Sequence, residues 1–434
     1  MRPNGLLETA GSTGNRAGDA KRLGCRPGTS ATEAMGHSTT RGHIRSLAVD
    51  PALLAVLFMS AVLPLSLVVS PALPGMATWF GVSDARTGLV MTAITLPPMI
   101  LAPVVGVLGD LVGRRWVAIP GLLLFGVAGV AIVPATTFPL VLALRGLQGV
   151  AMAGIAPLSV TLLGDLFEGS RRTTAQGLRT STAGTTLAVG PVIAGALAGL
   201  AWQYPFLLYG TSFLAAAAVF WFVPETAPER AKARSIRGTI RTYVASLAEE
   251  LGEPALLVVL GGGFVRFFSL FGFYTFLPIF AVRTLEVSPS LAGLLIGLAG
   301  VRILISPTTG WWISRYSTRL ALLACILVLI AVLAAVPFAT DVWHLAVVAV
   351  GYGVGDAMFD PLVNDATSAM VQPHNRNGVV GGLRVLKEAG KTAAPAALGL
   401  VLTLLGYTAL FLSIVAVLAL YGLVVAVVLR GTDG

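Results

Sequence analysis

Runs of about twenty mostly apolar residues recur from Pro51 to Leu429, each long enough to cross about 30 Å of hydrocarbon as a helix. For most of its length such a chain has lipid as its solvent. Lipid offers no partner for a backbone N–H or C=O, so each run must satisfy its own polar groups, and an α-helix does this within one segment. Composition agrees: 56% of the 434 residues are apolar and 11% are charged, against roughly 25% charged in a soluble globular chain. An enzyme built on a large aqueous domain has no place here. The net charge of +9 does not point to nucleic acid, because the basic residues collect in short segments between apolar runs rather than in a stripe interleaved with aromatics. Cys25 lies in a polar stretch and Cys325 inside an apolar run, which makes no disulfide framework.

With Gly, Pro and charge clusters as punctuation, hydropathy predicts twelve spans: 52–72, 86–108, 116–134, 138–163, 175–200, 205–223, 255–280, 290–312, 319–338, 343–368, 378–405 and 408–429. If the first starts from the cytosol, the inside segments carry Arg114, Arg115, Arg171, Arg172, a basic run from Arg230 to Arg241, Arg315, Arg319, Arg376 and Arg430, while the outside segments carry Arg86 and Arg283. The positive-inside rule then places both termini in the cytosol. The expected organisation is a disordered cytosolic tail over 1–50, a six-helix half over 51–224, a cytosolic linker over 225–254 and a second six-helix half over 255–430.

Sliding the sequence along itself supports the duplication. At one offset of 204 positions Gly106 falls on Gly310, Arg115 on Arg319, Gly149 on Gly353, Pro157 on Pro361, Arg172 on Arg376, Pro191 on Pro395 and Gly195 on Gly399. Parallel six-helix halves related by an axis along the membrane normal are a known transporter architecture, with the substrate path between the halves. The segment Gly106-Val-Leu-Gly-Asp110-Leu-Val-Gly113-Arg114-Arg115 resembles the hallmark loop of the major facilitator superfamily, although Leu111 stands where an Arg is usual. The second-half copy is degenerate, with Ser314 for the Asp and Ser317 for the second Gly. Arg145-Gly-Leu-Gln148-Gly149 is similar to the Arg-x-x-Gln-Gly motif of that superfamily, and Pro224-Glu225-Thr226 to its usual ending of the sixth span. A partial match, Gly177, Gly190, Pro191 and Gly195, resembles the fifth-helix packing motif of the exporter branch, with Thr186 and Ala194 where glycines are usual. The resemblance implies an all-α membrane fold of twelve helices in two pseudo-repeats, a gating role for Asp110, and a role for Arg145 in proton transfer or cavity structure. A lone Arg145 beside Gln148 and small residues could equally bond to a facing helix.

A charge at mid-membrane costs at least about 2.5–3.5 kcal/mol, so charges there are expected to face protein or a watery cavity. The second half concentrates them. Asp356, Asp360 and Asn364 recur at i, i+4 and i+8 in the tenth span, which on a continuous helix puts them on one face about 6 Å apart. Arg384, Lys387, Glu388 and Lys391 form a patch in the eleventh, and Arg266 and Arg302 sit in the seventh and eighth. These residues are candidates for proton exchange and substrate contact; simple ion pairing that fixes helix packing is the plainer alternative. Phe264, Phe267, Phe268, Phe271, Phe273, Tyr274 and Phe276 crowd the seventh span as packing, lipid-facing or cavity-lining groups. No His and Cys cluster has metal-ligand spacing, and no glycine-rich loop ends in Lys-Ser or Lys-Thr.

The expected function is secondary transport of small organic solutes by alternating access, non-enzymatic and without a cofactor, driven by an ion gradient and best read as proton-coupled export of drugs or metabolites. Its expected partners are a small-molecule substrate, protons and the bilayer of the plasma membrane, with the protein a monomer. The rivals are a proton-coupled importer of an organic anion or sugar, which the second-half cations would suit, and a non-transporting receptor or scaffold.

Overall fold

The structure, a computed structural model, describes residues 50–226, 253–372 and 376–429; the side chains of 102–107, 110, 313, 376 and 377 lie outside that description. The expected tail and most of the 225–254 linker therefore lie outside the described residues. Among those described there are twelve helical segments and no strand. They are α1 Pro51–Phe80, α2 Asp84–Val112, α3 Arg114–Val130, α4 Phe138–Leu166, α5 Gly169–Leu200 and α6 Tyr204–Phe222. Then follow α7 Pro254–Thr284, α8 Pro289–Trp312, α9 Thr318–Phe338 and α10 Val342–Met370. The stretch Arg376–Val428 is divided by Gly406, at φ 81° and ψ −177°, into α11 over 376–405 and α12 over 407–428. Only glycine adopts that conformation without strain, so the last hydropathy minimum becomes a turn between two spans.

Local chemistry marks the starts. Asp50 accepts from Ala52 N at the head of α1, while Ser83, Ser288, Ser317 and Asp341 cap α2, α8, α9 and α10 in the same way. Ser317 thus has a use in the degenerate second-half loop, as the N-cap of α9.

In the first half α2 and α3 pack on α4, and α1 packs on α5 and α6; in the second, α7 packs along 376–428. The halves meet where α5 lies on α8 and α2 on α11. Small residues permit this approach: a Cβ on Gly195 would sit 2.8 Å from Gly293 Cα, and one on Gly399 would sit 2.9 Å from the Ala85 carbonyl. At the same end of the bundle, Arg283 of α7 donates from Nε to both Asp84 oxygens at 3.1 and 3.2 Å, and Tyr407 of α12 donates to Asp84 at 2.8 Å. Two second-half helices are thereby tied to α2.

Three spans are interrupted. Helix α1 breaks at Leu63–Pro64, α8 tightens into 3₁₀ turns at Ala299–Val301 and Ser306–Thr308, and α10 is interrupted at Ala357 and Met358. The continuous tenth helix expected from the i, i+4, i+8 spacing is therefore corrected. Pro361 has no N–H to give the Ala357 carbonyl and its ring crowds that oxygen, so Asp356 ends one helical piece and Asp360 lies in the first turn of the next.

Candidate functional site

Between the halves lies a cavity of about 700 Å³. All three interruptions border it, through Leu63 and Pro64 of α1, Arg302, Ile303, Ser306 and Pro307 of α8, and Asp356, Ala357, Asp360 and Pro361 of α10. Irregular backbone at membrane depth is tolerated where it is buried in protein or lines such a space.

The charges that line it are Arg179, Arg266, Arg302, Arg384 and Lys391, against Asp356, Asp360 and Glu388. Asp356, 1% exposed, sits at the centre of this cluster. One of its oxygens lies 2.8 Å from Arg266 Nε; the other accepts from Arg266 at 2.8 Å and from Arg302 at 2.9 Å. Three helices, α7, α8 and α10, are joined by that one carboxylate. Asp360, with 32% of its side chain exposed, takes Lys387 Nζ at 2.8 Å and has Arg266 at 3.6 Å. Lys391 pairs with Glu388 at 2.6 Å. The Phe267 ring, itself on the cavity wall, carries Arg266 and Lys391 over its face at 4.7 and 4.8 Å, which softens the desolvation of both.

Four expected members stand apart. Asn364 and Lys387 do not line the cavity; Lys387 donates to Asn364 at 2.8 Å and supports Asp360 from behind. Arg145 and Gln148 are fully buried away from it. Arg145 donates to Tyr209 Oη at 2.6 Å, to Gln148 at 3.1 Å and to the Ser66 carbonyl at 3.2 Å, and Gln148 donates to the Phe125 carbonyl at 3.2 Å. This network clamps α1, α3, α4 and α6 together just where α1 is broken.

Of the glycine motif in α5, Gly190 abuts Val68, Gly195 abuts Gly293, and the Pro191 carbonyl backs Gly293. Gly177 departs from the packing role: a Cβ there would meet nothing within 4 Å, because it faces the cavity. Of the seven aromatics in α7, Phe267 and Phe271 reach the cavity, while Phe268, Phe273, Tyr274 and Phe276 are buried.

The loop at Gly113 is a second built feature. Gly113 has φ 119°, and a Cβ there would lie 2.6 Å from Glu225 Oε2. Across this gap Glu225 accepts from the backbone N–H of Arg114 at 2.8 Å and of Arg115 at 3.2 Å, so an anion closes the N-terminus of α3. Arg114 pairs with Asp165 of α4, and Arg115 donates to the Phe220 carbonyl of α6. The side chains of Gly106 and Asp110 lie outside the described residues. Glu225→Ala is expected to cost about 0.5–2 kcal/mol, as loss of a helix cap does. A lower thermal midpoint in detergent, with Glu225→Gln in between, checks it.

Arg179 was not among the sequence candidates, yet it lines the cavity from the first half. Its Nε donates to Gln176 at 3.0 Å, and among the described residues it has no carboxylate partner. The rule that flagged Arg266 and Arg302, a cation inside an apolar run, applies to Arg179 too; the surrounding Thr and Ser residues hid it.

A family profile described as Major Facilitator Superfamily matches residues 52–301 and 259–434. The bacillibactin exporter of Bacillus subtilis (strain 168) is 32% identical over 145 residues, 31% of this chain and 36% of that protein, so the match spans little more than a third of that relative. The quinolone resistance protein NorA of Staphylococcus aureus (strain COL) is 22% identical over 73% of this chain and 80% of its own length. Among solved structures, a bacterial homolog of the human lysosomal transporter Spinster, inward-facing and unoccupied, superposes with a TM-score of 0.71 at 16% identity, covering 87% of this chain and 97% of that one.

Proposed function

We propose, because this chain belongs to the Major Facilitator Superfamily, that it is a secondary active transporter which moves small organic solutes across the plasma membrane by alternating access. The observation that carries the reading is the charged cavity between the halves, bordered by three interrupted helices. The end tied by Asp84, Arg283 and Tyr407 is taken as the outer gate, closed, with the cavity then facing the cytosol along with both termini. Opening requires Arg283 and Tyr407 to release Asp84 as the halves rock.

Protons couple the cycle in this reading, with no cofactor and one chain as the working unit. Asp360 is the exchanging group: a third of its side chain reaches the cavity, whereas Asp356 is enclosed by two guanidinium groups. A proton on Asp360 cancels its hold on Lys387 and loosens α11 from α10. Export is the direction favoured by the named exporter among the relatives. A second reading, uptake together with protons, is favoured by Arg266, because neutralising Asp360 releases one of its guanidinium contacts and leaves that nitrogen to a solute in the cavity.

Everted membrane vesicles with an imposed pH gradient and a panel of labelled solutes test this. Export predicts accumulation when the lumen is acid, abolished by an uncoupler. Accumulation only in right-side-out vesicles in an acid bath would replace export by uptake, and flux indifferent to the gradient would remove proton coupling.

A further inference from the structure

The cavity has two chemically different walls. From the first half come Leu63, Leu67, Met152 and Leu187, with Arg179 as its single charge; from the second come four cations and all three carboxylates, around the Phe267 ring. Arg179 has no carboxylate partner among the described residues, and an uncompensated guanidinium is costly in a low-dielectric space. Asp356, Asp360 and Glu388 are each already engaged by a cation. Arg179 lines the cavity from the first half and Arg302 from the second, so an anion held between the halves meets a guanidinium on either side.

We infer that the transported solute is an amphipathic organic anion, whose acid group bridges Arg179 of the first half and Arg302 of the second while its apolar body lies on the Leu63, Leu67, Met152 and Leu187 wall. This rests on the transporter reading and deepens it for either direction. Three observations support the assignment. Arg302 begins the short helical piece between the two 3₁₀ turns of α8 and lines the cavity, and the next residue, Ile303, lies against α5 at Gly184, so the two arginine-bearing helices are in contact beside the space. Guanidinium groups offer forked donors matched to a carboxylate or phosphate. The wall opposite is apolar enough to bury the rest of the solute. A cationic solute finds no spare carboxylate, and a neutral one leaves Arg179 without a counter-charge among the described residues.

The test is equilibrium binding to the purified full chain in detergent, without any gradient. The probes are three fluorescent naphthyl-alkyl compounds that share one body and end in a carboxylate, a primary amide or a trimethylammonium group. The carboxylate should bind at least about tenfold tighter than the amide, the worth of one charge-assisted hydrogen bond, and the ammonium probe should not displace it. Arg179→Gln should erase about tenfold of that preference and Arg179→Lys should restore part of it; neither residue change removes an ion pair among the described residues, and unaltered thermal midpoints would exclude misfolding. Displacement by an anionic lysophospholipid against displacement by a soluble aromatic acid separates a lipid from a soluble source for the same chemistry. Equal affinity for carboxylate and amide, tighter binding of the ammonium probe, or an unchanged preference in Arg179→Gln would overturn the inference. A charge preference without flux in vesicles would count against the transporter reading and still support the ligand class.

Discussion

Asp356→Asn is expected to lower folded yield and every kind of flux together. The carboxylate is 1% exposed and holds Arg266 and Arg302 at 2.8 and 2.9 Å, so the amide leaves two cations facing a neutral group at membrane depth. Removing one partner of a buried pair costs about 3–5 kcal/mol, because the remaining charge stays desolvated and uncompensated. That is a large part of the about 5–15 kcal/mol by which folded domains exceed their unfolded states. Asp356→Asn combined with Arg302→Met should recover much of the loss in yield, since it withdraws the stranded cation as well. Thermal midpoints and detergent-extracted yield of the single and double variants measure this. A fully stable single variant would mean that water reaches the cluster and screens it.

The second large effect is expected at Arg145. Its guanidinium spends donors on Tyr209, Gln148 and the Ser66 carbonyl, with no exposed surface. Arg145→Leu deletes hydrogen bonds of a charged donor, each worth about 1.5–3 kcal/mol, and leaves the Ser66 carbonyl and the Gln148 oxygen buried without that donor. Lysine does not substitute, because a point charge on a single stem cannot span a forked set of acceptors. Both variants should lose folded yield severalfold. Ser66 and its neighbours Leu63 and Leu67 line the cavity, so the molecules that do fold should also bind solute more weakly. Normal binding per folded molecule would confine Arg145 to packing.

Periodicity and punctuation made the fold legible. Most span ends fall within four residues of the hydropathy boundaries, although α1 runs on to Phe80 rather than 72 and α5 begins at Gly169 rather than 175, and Gly406 sits where the eleventh and twelfth spans were expected to part. The offset that pairs Gly195 with Gly399 also has a packing meaning, because both lie at contacts between the halves. The site was legible in its charges, since a cation in an apolar run demands an explanation wherever it lies. Its pairing was not. Arg266 finds Asp356 across 90 positions of sequence, and only helix packing decides which face of α7 meets α10. The break in α10 was readable from Pro361, but spacing alone treated Asp356, Asp360 and Asn364 as one face. Arg145 shows the opposite difficulty: its charge suits a cavity and a bond to a facing helix equally, and the tyrosine it bonds to behind the cavity is linked to it by no local pattern.

The most direct measurement of the coupling claim is gradient-driven accumulation by Asp360→Asn in vesicles, read beside its downhill exchange. Asp360 is a third exposed to the cavity, and Lys387, its principal partner, keeps a hydrogen bond to Asn364 when the charge is removed. Folding should therefore survive where Asp356→Asn fails. The account predicts a normal yield, downhill exchange near that of the unaltered protein, and loss of accumulation against a concentration gradient. Undiminished pH-driven accumulation by a well-folded Asp360→Asn protein would contradict it.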